Sequence, residues 1–377
     1  MERILYTLIC LICGFTLFLC LIFHQWLSFS VANIPMPHSR IDSELALFIT
    51  NELSRLLSPD IPTVEDVGDT VVRAWFKHEK EFCLKVLNGT RHLFNSEGCR
   101  NSCLISTQPY SRRNVIIIPY RSRAEHLMKL IPRLVELLTK QNLCSLLIVS
   151  EQIDQQPFNK GIVMNTAFVE ALNWLPFHCA IFHDVDLMPM NNEIDYTCSI
   201  YPKHISVSVD KFQNRLPYIE LIGGVLSIPL KAFLRVNGYS NLFWGWGAED
   251  DDMYERLMVN EIPVIRPDPN VAQFTMLKHK PSLAFHSALR TQILSFTKVR
   301  YRLDGINSLN YTLVESQIKL YNQFHSLLNN DEVTKTTHFL HENNTFRSIS
   351  KLNYPILHLK IDVGKPPVEF IKEDNPT

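Results

Sequence analysis

No run of five or more like charges interrupts this sequence. Lys and Arg number 37 against 38 Asp and Glu, for a formal net charge of −1. That balance excludes a field able to attract nucleic acid or an anionic membrane surface. Glycine-rich phosphate loops are also missing: neither Gly-x-Gly-x-x-Gly after a strand nor Gly-x-x-x-x-Gly-Lys-Ser/Thr occurs, so the common nucleotide-binding turns are not available. Beyond the first hydrophobic segment there is no Cys-x-x-Cys pair, which speaks against structural zinc. Internal repeats and low-complexity tracts are absent too. What remains is globular composition, 46% hydrophobic and 20% charged over 377 residues, enough for one large domain or two average ones with a substantial core.

Residues 4–23 carry no charge; as a helix they would be about 30 Å long, the thickness of a bilayer core. Arg3 precedes the run and no Lys or Arg follows until Arg40, so a tail at residues 1–3 is expected in the cytoplasm, an anchor over 4–26, and the body in the lumen. The competing reading is a cleaved signal peptide ending near Ser30, Val31 and Ala32, for which the apolar run is too long. Either way the body enters the secretory lumen. Six cysteines lie beyond the anchor, Cys83, Cys99, Cys103, Cys144, Cys179 and Cys198, and an even number in an oxidising compartment suggests disulfides without specifying their pairing. Asn88, Asn310 and Asn343 each open an N-glycosylation triplet.

Residues 27–110 read as a stem that grades into the body, with prolines at 35, 37, 59 and 62 and no sustained period. A catalytic body is expected over 111–377. Residues 115–118 form a short apolar run before Pro119, a buried strand by pattern. Leu127, Ile131, Leu134 and Leu138 follow at helical spacing, with a kink expected at Pro132. A second strand at 146–149, a helix over 159–172 and a third strand at 179–182 complete a βαβαβ series. The fold class expected is α/β, a parallel sheet with helices on both faces.

The third strand runs into Asp184-Val185-Asp186. Ligands in open α/β sheets bind at the carboxyl ends of strands, and two alternating carboxylates there can hold a hard divalent cation and, through it, a diphosphate. A solvated turn is the bland alternative. After the first strand come Pro119, Tyr120, Arg121 and Arg123, where arginines could clamp phosphate and the ring could stack on a base, or where they simply begin a surface helix. The sharpest feature is WGWGAEDDD, residues 244–252. Its acids open a helical stretch and suit a helix N-terminus. One or two would suffice for that, and four beside Trp-Gly-Trp suggest a base and hydroxyl-binding carboxylates beneath an aromatic sugar platform. Met276 and His279 lie three apart, a spacing that does not by itself select a metal site.

Taken together, NVIIIPYRSR, PFNKGIVMNTAF, FHDVDLMPM, PKHISVSVDKF, LPYIELIGGV, FWGWGAEDDD, MLKH and DGINSL resemble the β-1,4-galactosyltransferase family over residues 114–307. The resemblance implies a Rossmann-like glycosyltransferase-A fold and an inverting, Mn2+-dependent transferase of the Golgi membrane. It also implies a UDP-sugar donor and a terminal N-acetylglucosamine acceptor on a glycoprotein or glycolipid. Position by position it makes Asp186, Met276 and His279 metal ligands and Asp250 the general base. Glu249, Asp251, Gly247, Arg290 and Leu294 become acceptor contacts, and Trp246 the mobile ring over the donor. Pro119, Tyr120, Arg121, Arg123, Phe158, Lys160, Asp184, Val185, Lys211 and Leu221 fall at the donor site, and Cys179 with Cys198 matches a family disulfide.

The chain departs from the family at several places. Lys160 replaces an arginine, keeping charge but losing the bidentate fork. Ala248 replaces a glycine before the acids, and Thr291 a phenylalanine of the acceptor pocket. Residues 320–350 are longer than usual and are expected to form a surface insertion. Leu221 replaces a tyrosine that crowds the donor sugar's C2 substituent, which favours N-acetylgalactosamine over galactose as the transferred sugar. A lectin-like partner subunit is the non-enzymatic alternative, and it should lack ligands or base that are all present here.

Overall fold

The computed structural model describes residues 113–172, 174, 177–279, 287–321 and 355–366. The expected anchor and stem, Cys83, Cys99, Cys103, Asn88, Asn343 and the expected insertion fall outside the described residues, apart from positions 320 and 321. Among the described residues no helix is long and apolar enough to cross a membrane.

Strands β1 (Arg113–Tyr120), β2 (Cys144–Gln152) and β3 (Cys179–His183) alternate with helices α1 (Ala124–Lys140) and α2 (Lys160–Ala171), as the hydrophobic periods predict. β1 is the hinge of the sheet, parallel to β2 on one side and to β3 on the other. Alternate residues of these strands serve opposite faces. Val115, Ile117, Leu146 and Ile148 pack with α2, while Ile116, Ile118, Leu147 and Val149 pack with α1, the arrangement of a sheet covered on both sides.

The sheet is larger than the sequence pattern implied, and it is mixed where a parallel one was expected. Its order is β5-β7-β3-β1-β2-β10-β9. β7 (Val225–Pro229) lies antiparallel to β3, and β5 (Lys203–His204) antiparallel to β7. At the other edge β10 (Pro355–Asp362) joins β2 in parallel and carries β9 (Thr312–Leu320) antiparallel. A second sheet sets β4 (Leu187–Pro189) and β6 (Ser208–Val209) on either side of β8 (Gln273–Met276). The short helix α3 (Leu230–Arg235) follows β7, and α4 (Glu249–Val259), α5 (Ser287–Ser295) and α6 (Thr297–Arg300) complete the described α-helices.

Pro132 lies inside α1 without ending it. Proline cannot donate to the carbonyl four residues earlier, here that of Met128. The Tyr321 hydroxyl donates to that oxygen at 2.8 Å. The vacancy left by proline is therefore filled from the far end of the sheet. At α2, Asn159 caps the helix by accepting from the Ile162 N–H at 2.9 Å, leaving Lys160 as the first helical residue.

Candidate active site

Three chain segments converge at the carboxyl end of β3. The first is the Asp184–Asp186 turn itself. Asp184 N–H is held by the Gly224 carbonyl at 2.9 Å. The second is the amino end of α2, whose Lys160 ammonium lies 2.7 Å from Asp184 Oδ1 and 3.1 Å from Glu249 Oε1. The third is the amino end of α4, where the acids of the EDDD run begin at its first residue. Lys160 thus ties the strand-end acid to the helix-end acids, a link that no local spacing could show. Burial pulls the ammonium down, but Asp184 and Glu249 outweigh it and hold its pKa well above the usual lysine value. Asp184 is pushed up, by burial first, with Lys160 opposing.

Asp250 sits in a small pocket with Lys160, Asp184, Gly223, Gly224, Tyr239 and Glu249. Its carboxylate packs so closely on Gly223 that a Cβ there would lie 2.2 Å from Oδ2, so a side chain at 223 would displace the Asp250 carboxylate. Burial, then Glu249 and Asp251, push the Asp250 carboxyl up to about 7. A carboxylate with that affinity for protons, in a cleft, is suited to general-base work near neutrality. Asp251 turns the other way and accepts from the Tyr218 hydroxyl at 2.9 Å. Trp246 is 65% exposed while Trp244 is buried; of the two rings, only the expected mobile one is presented to solvent. Gly247, at φ +107°, lets the Arg290 guanidinium approach its backbone, since a Cβ would meet Nη1 at 2.8 Å. Arg290 and Leu294 on α5 are partly buried, and Thr291 between them is exposed.

Asp186, Met276 and His279 come together across the β4–β8 pair. Leu187 pairs with Met276, Leu277 N–H donates to the Asp186 carbonyl at 2.7 Å, and His279 Nε2 lies 2.8 Å from Asp186 Oδ2. Among the described residues no three His, Cys, Asp or Glu side chains gather as a metal group; this set draws its third donor from a thioether. One carboxylate, one imidazole and one sulfur fit a divalent transition ion that takes further oxygens from a diphosphate.

The remaining expected donor residues surround this pair. Arg123, expected at phosphate, bonds Asp186 Oδ2 at 2.9 Å and meets His279 Nδ1 at 3.2 Å. Arg121 donates to Gln156 O at 2.6 Å and lies over the Phe158 ring at 5.1 Å. The Phe158 carbonyl accepts from Gly245 N–H at 2.8 Å, so the donor-side loop touches the tryptophan loop. Pro119, Tyr120 and Val185 are buried, and the Tyr120 ring belongs to the core on the α1 face. Lys211 is exposed; its neighbour Asp210 accepts from Met276 N–H at 2.9 Å. Leu221 is partly buried beside the pocket, its carbonyl 3.4 Å from Arg266 Nη2, while Ile222 lines the pocket. Cys179 and Cys198 form a disulfide, S–S 2.04 Å. Asn310 is exposed.

Sequence reading grouped Asp252 with the base and hydroxyl-binding acids, which its burial contradicts, and assigned no role to Arg256, Arg300 and Asp304. Asp252 accepts from Arg256 Nε at 2.5 Å and from the Thr297 hydroxyl at 2.6 Å, and pairs with Arg300. Arg256 reaches Asp304 at 3.3 Å and the carbonyl of Gly238 at 3.0 Å. Arg256 and Asp252 are both fully buried. The available signals were two i,i+4 spacings, Asp252 with Arg256 and Arg300 with Asp304.

Residues 100–199 match the family described as the N-terminal region of glycosyl transferase group 7, and residues 203–280 match the N-terminal domain of galactosyltransferase. The chain is 37% identical over 206 residues to β-1,4-galactosyltransferase 5 of Mus musculus, covering 55% of this chain and 53% of that protein. It is 39% identical over 203 residues to β-1,4-galactosyltransferase 1 of Bos taurus, covering 54% and 50%. It therefore spans about half the length of the curated relatives it matches. Among solved structures it is similar to the catalytic domain of Drosophila β-1,4-galactosyltransferase 7 in complex with xylobiose. The TM-score is 0.51 at 21% identity, covering 69% of this chain and 97% of that one, a likeness of fold. A mutant of the same protein was solved with manganese, UDP-Gal and xylobiose. The first match takes in the strand-end acids and the second the EDDD helix and the Met276–His279 segment, and together with the 37–39% identities they support the β-1,4-galactosyltransferase family for this chain.

Proposed function

We propose that this chain is an inverting, Mn2+-dependent glycosyltransferase moving a hexose from a UDP-sugar to the 4-hydroxyl of a terminal β-N-acetylglucosamine. The observation that carries the reading is Asp250. It is a carboxylate pressed against Gly223, raised to about 7, and four residues from the exposed Trp246. In this reading Asp250 takes the proton of the acceptor hydroxyl, whose oxygen attacks the anomeric carbon from the side opposite the departing UDP. Asp251 and Glu249 hold the acceptor's other hydroxyls, and Trp246 closes over the sugars. Asp186, Met276 and His279 would hold the ion, and when bound Mn2+ supplies charge neutralisation for the leaving diphosphate. Arg121 and Lys211 add cationic help, while Lys160 orients Asp184 and Glu249.

For the sugar transferred we propose N-acetylgalactosamine, because Leu221 offers less bulk than a tyrosine beside the pocket wall formed by Ile222 and Gly223. The names of the relatives favour galactose, and that is the second reading. We further propose a Golgi membrane address, type II, anchored by residues 4–26. The Cys179–Cys198 bridge supports an oxidising compartment.

The test is transfer to an N-acetylglucosaminide with the two UDP-sugars in competition, with and without EDTA. Chelation should abolish transfer and Mn2+ restore it. UDP-N-acetylgalactosamine should win, with Leu221→Tyr shifting the ratio toward galactose by ~10–200-fold. Full activity in chelator would overturn the metal reading, and an unshifted ratio favouring galactose would overturn the donor assignment.

A further inference from the structure

Helix α1 begins beside the candidate metal ligands and brings there a residue that no motif singled out. His126, in its first turn, places Nε2 3.2 Å from the carbonyl oxygen of Lys278. A carbonyl only accepts, so Nε2 is the protonated nitrogen of this ring. The same ring meets the His279 imidazole edge to face, with centroids 6.2 Å apart. Its other nitrogen, Nδ1, is sealed from solvent and has no hydrogen-bond partner. A lone surface histidine would leave both nitrogens to water; this one is committed to the Lys278–His279 segment.

The mechanical setting explains what such a contact can do. Strand β8 ends at Met276, and just beyond it Leu277 N–H ties the segment to the Asp186 carbonyl at 2.7 Å. Two residues later His279 must aim Nε2 at Asp186. Helix α1 is rigidly seated, with Leu127, Met128 and Leu130 fully buried, so a bond from His126 to the Lys278 carbonyl transfers that rigidity to the segment. The edge contact then limits the rotation of the His279 ring. Ligand histidines are commonly oriented by groups outside the coordination sphere. Here the orienting group grips the backbone next to the ligand.

We propose that His126 is a positioning residue for the candidate metal centre, holding the Lys278 carbonyl and flanking the His279 ring so that His279 and Asp186 present a preformed pair to the ion. The proposal rests on the assignment of Asp186, Met276 and His279 as ligands. It is tested by Mn2+ binding, read from the loss of the free-ion electron paramagnetic resonance signal, with the purified full chain in the presence of UDP. His126→Phe keeps an aromatic edge against His279 and removes the donor, and it should weaken Mn2+ binding ~10–100-fold. His126→Gln, whose amide can donate to the same carbonyl, should recover most of that loss. Should the phenylalanine variant fail to unfold cooperatively, His126→Asn, too short to reach the carbonyl, replaces it with the same expected loss. Mn2+ affinity within twofold of wild type in a folded His126→Phe or His126→Asn overturns the positioning role. A glutamine variant no better than phenylalanine overturns the hydrogen bond as its means. Absence of Mn2+ binding by the wild type, or retention of it by His279→Ala, instead overturns the ligand assignment and takes this proposal with it.

Discussion

Asp250 and Asp252 stand two residues apart in one run of acids, and the fold gives them opposite surroundings. Two residues along a helix is about 200° of rotation, so the carboxylates leave α4 on opposite sides. Asp250 faces the pocket, with Glu249 and Asp251 beside it and its carboxyl raised to about 7. Asp252 faces the interior, held by Arg256, Arg300 and the Thr297 hydroxyl. Asp304 completes a quartet of two acids and two arginines, neutral as a whole. A carboxylate with its charge matched is a structural tie; one left with like charges is primed to take a proton. The comparison teaches that the run is two devices: the helix end that offers a base, and the clamp that fastens that end to α6.

The largest expected effect strikes the clamp. Arg256→Met removes one cation from the quartet and leaves Asp252 and Asp304 to share Arg300. Breaking a buried ionic set by removing one partner is destabilising by about 3–5 kcal/mol, measurable as a fall in the denaturation midpoint. A loss under about 1 kcal/mol would show that the quartet is not the tie described.

The second effect is one of pH. If Asp250 is the base it must be ionised, so kcat/KM should fall about tenfold per unit of pH below about 7. The stability sign runs the opposite way. The folded state keeps the Asp250 proton up to about 7, whereas an unfolded chain releases it near 4. Stability contributed by that proton is therefore present at low pH and lost as pH rises through that window. Asp250→Asn should then melt higher than wild type at pH 8 and differ little at pH 4. Equal melting at both values would separate Asp250 from the strained environment assigned to it.

The smallest effect concerns the loop between the tryptophans and the acids. Ala248 holds φ +74°, a left-handed conformation that costs a non-glycine residue about 1–2 kcal/mol. Ala248→Gly should relieve that strain and, against the entropy glycine adds to the unfolded chain, raise stability by under ~1 kcal/mol. Clear destabilisation would mean that the alanine methyl, buried against the core, packs for more than the strain costs.

Much of this was legible in the sequence because it is local. The strand runs at 115–118, 146–149 and 179–182, the helices between them and the helix opening at Glu249 all follow from periods and caps that act within a few residues. The acids at the end of β3 were placed correctly because strand order fixes where a strand ends. What escaped reading joins distant segments: Lys160 to Glu249, Tyr321 to the carbonyl that Pro132 leaves open, Asp252 to Arg300. β9 and β10 escaped for the same reason, since their place beside β2 is decided by tertiary pairing. The sheet was read as parallel because the βαβ rhythm predicts its centre, while the antiparallel edges carry no such rhythm.

The most direct test of the comparison measures Asp250→Asn and Asp252→Asn side by side, recording for each the turnover of the folded protein and the midpoint of thermal unfolding. Asp250→Asn should lose turnover by ~10²–10⁴-fold with its melting temperature kept or raised. Asp252→Asn should lose several degrees of melting temperature, with turnover per folded molecule reduced far less. Near-normal turnover in Asp250→Asn, or a collapse of turnover in Asp252→Asn at unchanged stability, would contradict the division of labour between the two carboxylates.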